Sequence, residues 1–275
     1  MKKGIPFSKL NGSGNDFLLV DDRAGAMKGI DLPAFVRKVC DRSRSVGADG
    51  AIFIGTSRRA DFRWRFFNAD GSVAEMCGNG GRCAARFAAE RRIAGRRLAF
   101  ETLAGVIRAE VSGRRVKLQM TRPRGLALGR SLTLKGKRIE YSFLNTGVPH
   151  AVLFVPDLER IDLMGVGRGV RTHRVFAPRG TNVDFVRARD GKVDVRTYER
   201  GVEGETLACG TGAVAAGILA AAHGLAVPPV PVRTRGGEVL IIHFDSGRAD
   251  FGDVYLEGDT SWSCDGVMTE EAYRY

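Results

Sequence analysis

With 275 residues, 44% of them apolar and 27% charged, the chain can bury one large core or two ordinary ones, and it is too apolar to be disordered. The net charge of +12 raises nucleic acid or a membrane surface as partners, but the 43 basic residues are scattered, with arginine outnumbering lysine 34 to 9. The longest apolar run, Ala213 to Ala222, is too short to span a bilayer and no apolar h-region follows Lys2-Lys3, so the expectation is a soluble, cytoplasmic protein with no nucleic-acid and no membrane partner.

Taken in chain order, Asp16–Asp21 is the first segment of alternating character, and Leu32–Arg44 reads as an amphipathic helix capped by Asp31, with Pro33 tolerable in its first turn. Strands are predicted at Ala51–Gly55 and Asp61–Phe67, then a helix over Gly80–Ala94 stopped by Gly95. Its Arg82, Arg86, Glu90 and Arg91 should form a solvent-facing side. Strands follow at Val106–Val111, Val116–Met120, Ala151–Val155, Thr181–Val186 and Val193–Tyr198. A helix over Thr211–His223, apolar on nearly every face and therefore buried, ends at Gly224, and Glu238–Phe244 is the last strand.

Both glycine-flanked helices follow a cysteine: Cys77-Gly78-Asn79-Gly80 and Cys209-Gly210-Thr211-Gly212. The frame around them repeats. Thr102 and Thr234 each lie 25 residues after their cysteine, and Gly105 and Gly237 each lie 28 after it and open a strand. Strands end at Asn68, nine residues before Cys77, and at Glu199, ten before Cys209. One unit used twice is the reading that accounts for this register, and two facing copies would set both loops on a common cleft.

The five cysteines (Cys40, Cys77, Cys83, Cys209 and Cys264) are odd in number and widely spaced, which argues against a disulfide framework. No pair has CxxC spacing and His150, His173, His223 and His243 form no ligand-like cluster, so no structural metal site is expected; acid/base chemistry by two cysteines would need no cofactor. A lone cysteine is most often a small buried hydrophobe, the reading taken for Cys40, Cys83 and Cys264. Cys77 and Cys209 stand apart through their equivalent places before helix starts. Unpaired N–H groups and the helix dipole there favour a thiolate, and glycines let the backbone hold a carboxylate. A sulfur on each face of a Cα would let one thiolate remove its proton while the opposite thiol delivers another.

These residues carry a family resemblance. The ordered series Gly12-Ser13-Gly14-Asn15-Asp16-Phe17, Phe67-Asn68-Ala69-Asp70-Gly71-Ser72, Met76-Cys77-Gly78-Asn79-Gly80-Gly81-Arg82-Cys83, Gly180-Thr181-Asn182-Val183-Asp184-Phe185, Tyr198-Glu199-Arg200-Gly201 and Gly204-Glu205-Thr206-Leu207-Ala208-Cys209-Gly210-Thr211-Gly212 resembles the diaminopimelate epimerases from end to end. The resemblance implies an α+β fold of two similar mixed α/β domains, each a curved, barrel-like sheet around a central helix. The halves would be residues 1–120, with 260–275 returning to them, and 121–259. The implied reaction is interconversion of LL- and meso-2,6-diaminopimelate, in lysine and peptidoglycan biosynthesis, without pyridoxal phosphate.

By motif, Cys77 and Cys209 resemble the acid/base pair, and Gly78, Asn79, Gly210 and Thr211 the backbone donors to the α-carboxylate. Asn15, Asn68, Asn182, Glu199 and Arg200 resemble the residues that read the substrate's polar groups; an exposed Glu199–Arg200 pair and turn roles for the asparagines are the alternatives. His150 is either a further site residue or a satisfied core histidine. Two positions depart from the family pattern: Val148, where many members carry asparagine, and Gly50, where some carry glutamine. A proline racemase or hydroxyproline epimerase shares the two-cysteine logic, but its relatives usually carry histidine where Asn79 stands. An isomerase of the same fold with a carboxylate in place of a cysteine is disfavoured by the presence of both. A small amino acid is the expected partner, and the sequence leaves a homodimer open.

Overall fold

The computed structural model describes residues 4–248 and 250–275. The chain divides into two compact units, one holding the chain up to Leu118 together with Gly258–Tyr275, the other Gln119–Glu257.

In the first unit β1 (Ile5–Gly12) turns through Ser13 and Gly14 into antiparallel β2 (Asn15–Asp21). The helix α1 (Leu32–Val39) then crosses to β3 (Gly50–Gly55), which lies parallel to β2. β4 (Phe62–Asn68) pairs antiparallel with β3; α2 (Gly78–Glu90) crosses to β5 (Arg97–Thr102), parallel to β4; and β6 (Gly105–Ser112) and β7 (Arg115–Gln119) complete a meander.

The second unit repeats the order. β8 (Arg124–Leu134) and β9 (Lys137–Asn145) form a hairpin, β9 runs antiparallel to β10 (Pro149–Phe154), and α3 (Leu163–Arg171) crosses to β11 (Asn182–Arg189), parallel to β10. β12 (Lys192–Glu199) pairs antiparallel with β11 and carries the short β13 (Gly204–Thr206). The helix α4 (Gly210–Ala222) then crosses to β14 (Val230–Arg233), parallel to β12, followed by antiparallel β15 (Val239–His243) and β16 (Tyr255–Asp259). Every pairing from β2–β3 to β6–β7 thus has a counterpart from β10–β11 to β15–β16. Finally β17 (Ser261–Met268) pairs with β1, as β8 pairs with β9, and α5 (Glu271–Arg274) ends the chain.

Each sheet curls around one helix. The helix α2 lies against β1, β2, β3 and β6, and α4 against β9 to β12, β14 and β15. The run Ala213 to Ala220 is buried without a polar face, as its composition requires. The expected solvent-facing side of α2 is not observed along its length. Arg82 is wholly buried and Arg86 half-buried, because Arg82 donates to Ser13, Asn79 and the Asp259 carbonyl, and Arg86 to the Thr260 carbonyl. Of the four side chains expected there, only Glu90 and Arg91 are exposed.

Helix limits also shift. The first helix ends at Val39 and α2 at Glu90, where Arg92 takes φ 57° and supplies the left-handed turn expected of Gly95. Gly224, with φ 72°, closes α4 as expected. All nine predicted strands are present with small changes of limit. The helix α3 was not anticipated, since Leu-Met-Gly-Val-Gly-Arg-Gly-Val-Arg has three poor helix formers. Those glycines permit close packing: a Cβ on Gly167 would lie 2.8 Å from Tyr198, and one on Gly169 2.7 Å from Leu134.

Cys40, at the end of α1, is a core residue with Phe35, Val36, Val39 and Ala48. Burial, reinforced by the charges of Asp16 and Asp49, pushes its thiol from 9.0 up to about 12. Above pH 9 the unfolded chain therefore releases a proton that the folded chain keeps, and stability falls as pH rises through this window by about 1.4 kcal/mol per pH unit. Urea unfolding of wild type and Cys40→Ala, compared at neutral pH and between pH 9 and 12, should show a shallower alkaline decline in the variant. Among the described residues, no helix is long and apolar enough to cross a membrane.

Candidate active site

Cys77 sits in extended backbone (φ −145°, ψ 122°) as the N-cap of α2, and its Sγ accepts from the Gly80 N–H at 3.4 Å. The glycine-rich first turn packs closely against the side chains of the sheet. A Cβ on Gly81 would lie 2.9 Å from Leu118, and one on Gly80 3.3 Å from Ile52. The helix start is thereby seated against the sheet with Asn79, Gly80 and Gly81 buried and Cys77 partly exposed.

Asn15, the first residue of β2, meets this turn: its Oδ1 accepts from Asn79 Nδ2 at 2.7 Å. Asn68 closes β4 and is exposed; its Nδ2 donates to Ser72 Oγ at 3.0 Å, so it organises the turn that its composition announces. Gly50 pairs with both Phe17 and Asn68, and no side chain fits there, since a Cβ would lie 2.6 Å from the Phe67 carbonyl oxygen.

In the second unit Cys209 caps α4 from a similar extended conformation (φ −119°, ψ 109°) but is buried, with its Sγ 3.4 Å from Thr211 Oγ1. Thr211 is itself held by Thr146, whose hydroxyl donates to the Thr211 carbonyl at 3.1 Å. The expected thiolate-favouring environment is not what this position provides. Burial, with the negative charges of Glu199 and Asp184, pushes the Cys209 thiol well above the ordinary cysteine range, and Thr211 and the Gly212 N–H only partly oppose this. Desolvation of the thiolate outweighs the helix terminus, so Cys209 rests protonated.

Asn182 begins β11 and is buried; its Oδ1 accepts from the Arg200 N–H at 2.8 Å and its Nδ2 donates to His150 Nε2 at 3.4 Å. His150 is wholly buried on β10, with Nδ1 2.7 Å from Asp184 Oδ2. Both ring nitrogens are hydrogen-bonded, to Asp184 and to Asn182, so the ring is satisfied in the core and in contact with a candidate site residue. Glu199 and Arg200 do not form the exposed pair considered above. The Arg200 guanidinium donates to the Arg179 carbonyl at 3.4 Å, while burial pushes the Glu199 carboxyl above its ordinary value against the pull of the nearby Thr206 hydroxyl.

Reading the sequence missed Asp184, a wholly buried carboxylate that also accepts from Thr197 Oγ1 at 2.7 Å. The signal was present: Asp184 shares a strand face with Asn182, where alternation calls for an apolar residue. It also missed Asp49 and Arg82, which bracket Asn15 and Asn79. Among the described residues no group of three or more His, Cys, Asp or Glu side chains is placed to hold a metal ion.

Known proteins carry the same frame. The family model described as diaminopimelate epimerase matches residues 7–125 and 142–262, a span that includes both cysteine turns. The diaminopimelate epimerase of Aquifex aeolicus is 49% identical over 98% of this chain and 100% of its own length. That of Archaeoglobus fulgidus is 42% identical over 98% and 99%. Among solved structures, a phenazine biosynthesis protein of the PhzF family from Bacillus anthracis superposes with TM-score 0.71 at 15% identity, covering 98% of this chain and 100% of its own. A probable proline racemase from Agrobacterium radiobacter K84 superposes with TM-score 0.70 at 15% identity, covering 96% and 93%. These structural likenesses concern the fold. Near-complete sequence matches, with a cysteine capping a glycine-rich helix in each unit, place the chain in the diaminopimelate epimerase family, and it is an isomerase.

Proposed function

We propose that the protein interconverts LL- and meso-2,6-diaminopimelate, with Cys77 and Cys209 exchanging the α-proton and no pyridoxal phosphate taking part. The observation that carries this reading is the repeated cap: in each unit a cysteine precedes a glycine-rich helix start whose unpaired N–H groups suit a carboxylate. Gly78, Asn79, Gly210 and Thr211 supply those N–H groups. They hold the α-carboxylate and stabilise the charge that spreads into it as the Cα–H bond breaks. Asn15, Asn68, Asn182, Glu199 and Arg200 read the remaining polar groups, Arg200 suiting a carboxylate and Glu199 an ammonium.

Burial of Cys209 marks it as the proton donor for one isomer. With Cys209 a thiol, Cys77 is the base for the enantiomeric centre whose Cα–H faces it. The proton passes to the Cys77 sulfur, the electron pair is delocalised into the carboxylate, and Cys209 delivers its proton to the opposite face. The cysteines finish with their roles exchanged, which is the starting state for the reverse reaction. A substrate ammonium close to Cys209 would offset the burial that disfavours its thiolate.

LL-diaminopimelate incubated with wild type in D2O, without added pyridoxal phosphate or metal, should gain one α-deuterium at the inverted centre as the meso isomer forms. Proline and trans-4-hydroxyproline, run in parallel, should exchange nothing. Exchange with the prolyl compounds alone would overturn the substrate assignment in favour of a proline-type racemase.

A further inference from the structure

Arginine is rarely buried unless its donors are satisfied, and Arg82 on α2 is buried completely. A guanidinium only donates. Its Nη2 donates to Asn79 Oδ1 at 2.8 Å and to the Ser13 hydroxyl. That contact fixes which way the Asn79 amide faces, with oxygen toward Arg82 and nitrogen toward Asn15. Asn79 Nδ2 in turn donates to Asn15 Oδ1 at 2.7 Å, and Asn15 Nδ2 donates to Asp49 Oδ2 at 3.2 Å. A carboxylate only accepts, so the chain ends there. Turning either amide over would set oxygen against oxygen or N–H against N–H at its contacts. The sequence Arg82, Asn79, Asn15, Asp49 therefore has one allowed direction. Asp49 is held independently, by Arg42 Nη2 on Oδ1 at 2.9 Å and by the Asp16 N–H on Oδ2 at 3.2 Å.

We propose that Arg82 and Asp49 are positioning residues that lock the Asn15 amide with its N–H side, and not its oxygen, toward the substrate, so that this point of the site selects a carboxylate. The inference rests on the reading of Asn15 as substrate-facing. An amide nitrogen carries two hydrogens, and one of Asn15's is committed to Asp49. The second is a donor on a half-buried side chain, polarised by a relay that starts at a cation and ends at an anion. Without the carboxylate terminus, only the Asn79 N–H on Oδ1 still orients the Asn15 amide, so the energetic difference between its two orientations shrinks and an oxygen faces the incoming anion more often.

Asp49→Asn tests this in the full-length protein, because it keeps the shape and removes the obligatory acceptor. KM for LL-diaminopimelate should rise about 10-fold, the scale of one lost charge-directed hydrogen bond, with kcat changed less than about twofold. Asp49→Glu, which restores an acceptor, should recover most of the affinity, an outcome that a general loss of stability would not give. Arg42→Gln, which removes the exposed ion pairs of Arg42 with Asp49 and Asp16 but leaves Asp49 Oδ2 on Asn15 Nδ2 and the Asp16 N–H, should remain within about twofold of wild type. In an Asn15→Ala background, Asp49→Asn should have no further effect, because Asp49 acts through Asn15. An unchanged KM in Asp49→Asn, an equal loss in Arg42→Gln, or full additivity with Asn15→Ala would each overturn the relay while leaving the epimerase reading intact. Unimpaired Asn15→Ala would overturn the reading of Asn15 itself, and the relay with it.

Discussion

Alanine at Cys77 or at Cys209 should reduce epimerisation of diaminopimelate by about 1000-fold or more, the range associated with loss of a general acid or base. The two variants should nevertheless differ in D2O. Cys209→Ala retains the Cys77 base but has no proton donor on the opposite face. It should wash deuterium into one isomer with retention, since the abstracted proton exchanges with solvent on sulfur and returns to the same side. Cys77→Ala retains a sulfur that burial, with Glu199 and Asp184 nearby, holds protonated. Exchange of the other isomer should therefore be slower at neutral pH and should rise as pH is raised. Mass spectrometry of recovered LL and meso substrate at several pH values reads both effects. Equal exchange by the two variants across pH would show that substrate binding cancels the difference between the thiols, and wild-type epimerisation by either would end the two-cysteine assignment.

What could be read before the structure depended on whether local pattern or distant packing decides each residue. Strands with clean alternation, such as Val193–Tyr198, were legible because one face of a curled sheet is buried. β8 was not. It is mostly exposed, carries positive-φ glycines at Gly125 and Gly129, and shifts register around Ala127, so it has no period to detect. β14 contains Pro231 and β1 contains Pro6, which argue locally against strands that long-range pairing nevertheless makes. The burial of Arg82 is of the same kind, decided by Ser13 and Asp259 far away in the chain.

The duplicated register also clarifies the candidate site. Phe17, Gly50 and Asn68 stand opposite one another on β2, β3 and β4. His150 and Asn182 stand opposite on β10 and β11, with Glu199 at the next step beyond the Val183–Tyr198 pair. By this correspondence Asn68 is the counterpart of Glu199, Gly50 of Asn182, and Asn15 of Val148. The two departures from the family pattern are therefore the duplicated partners of two candidate polar residues. The first unit supplies Asn15 from β2 and Asn68 from β4, and the second Asn182 from β11 with Glu199 from β12. Where the first has no room for a side chain at Gly50, the second places Asn182.

That difference makes the support of Asn182 a sensitive point. Asp184 is wholly buried beside the start of α4, so close that a Cβ on Gly212 would overlap its Oδ1. Its partners are His150 Nδ1 and the Thr197 hydroxyl. Replacing His150 by leucine keeps the volume but strands a buried carboxylate with one partner gone. The expected loss is about 2 kcal/mol or more in urea unfolding, the scale of leaving a buried carboxylate without one of its hydrogen-bond donors. Adding Asp184→Asn should recover part of that stability, because an amide at this position is far less costly to bury than an unpaired carboxylate. It should not recover activity. Asn182 would still lack the His150 Nε2 acceptor that orients its amide, leaving only the Pro149 carbonyl at 3.4 Å and the Arg200 N–H. A double variant restored in both stability and KM would mean that His150 and Asp184 serve the core alone; stability regained with KM still raised would establish that the buried pair positions Asn182.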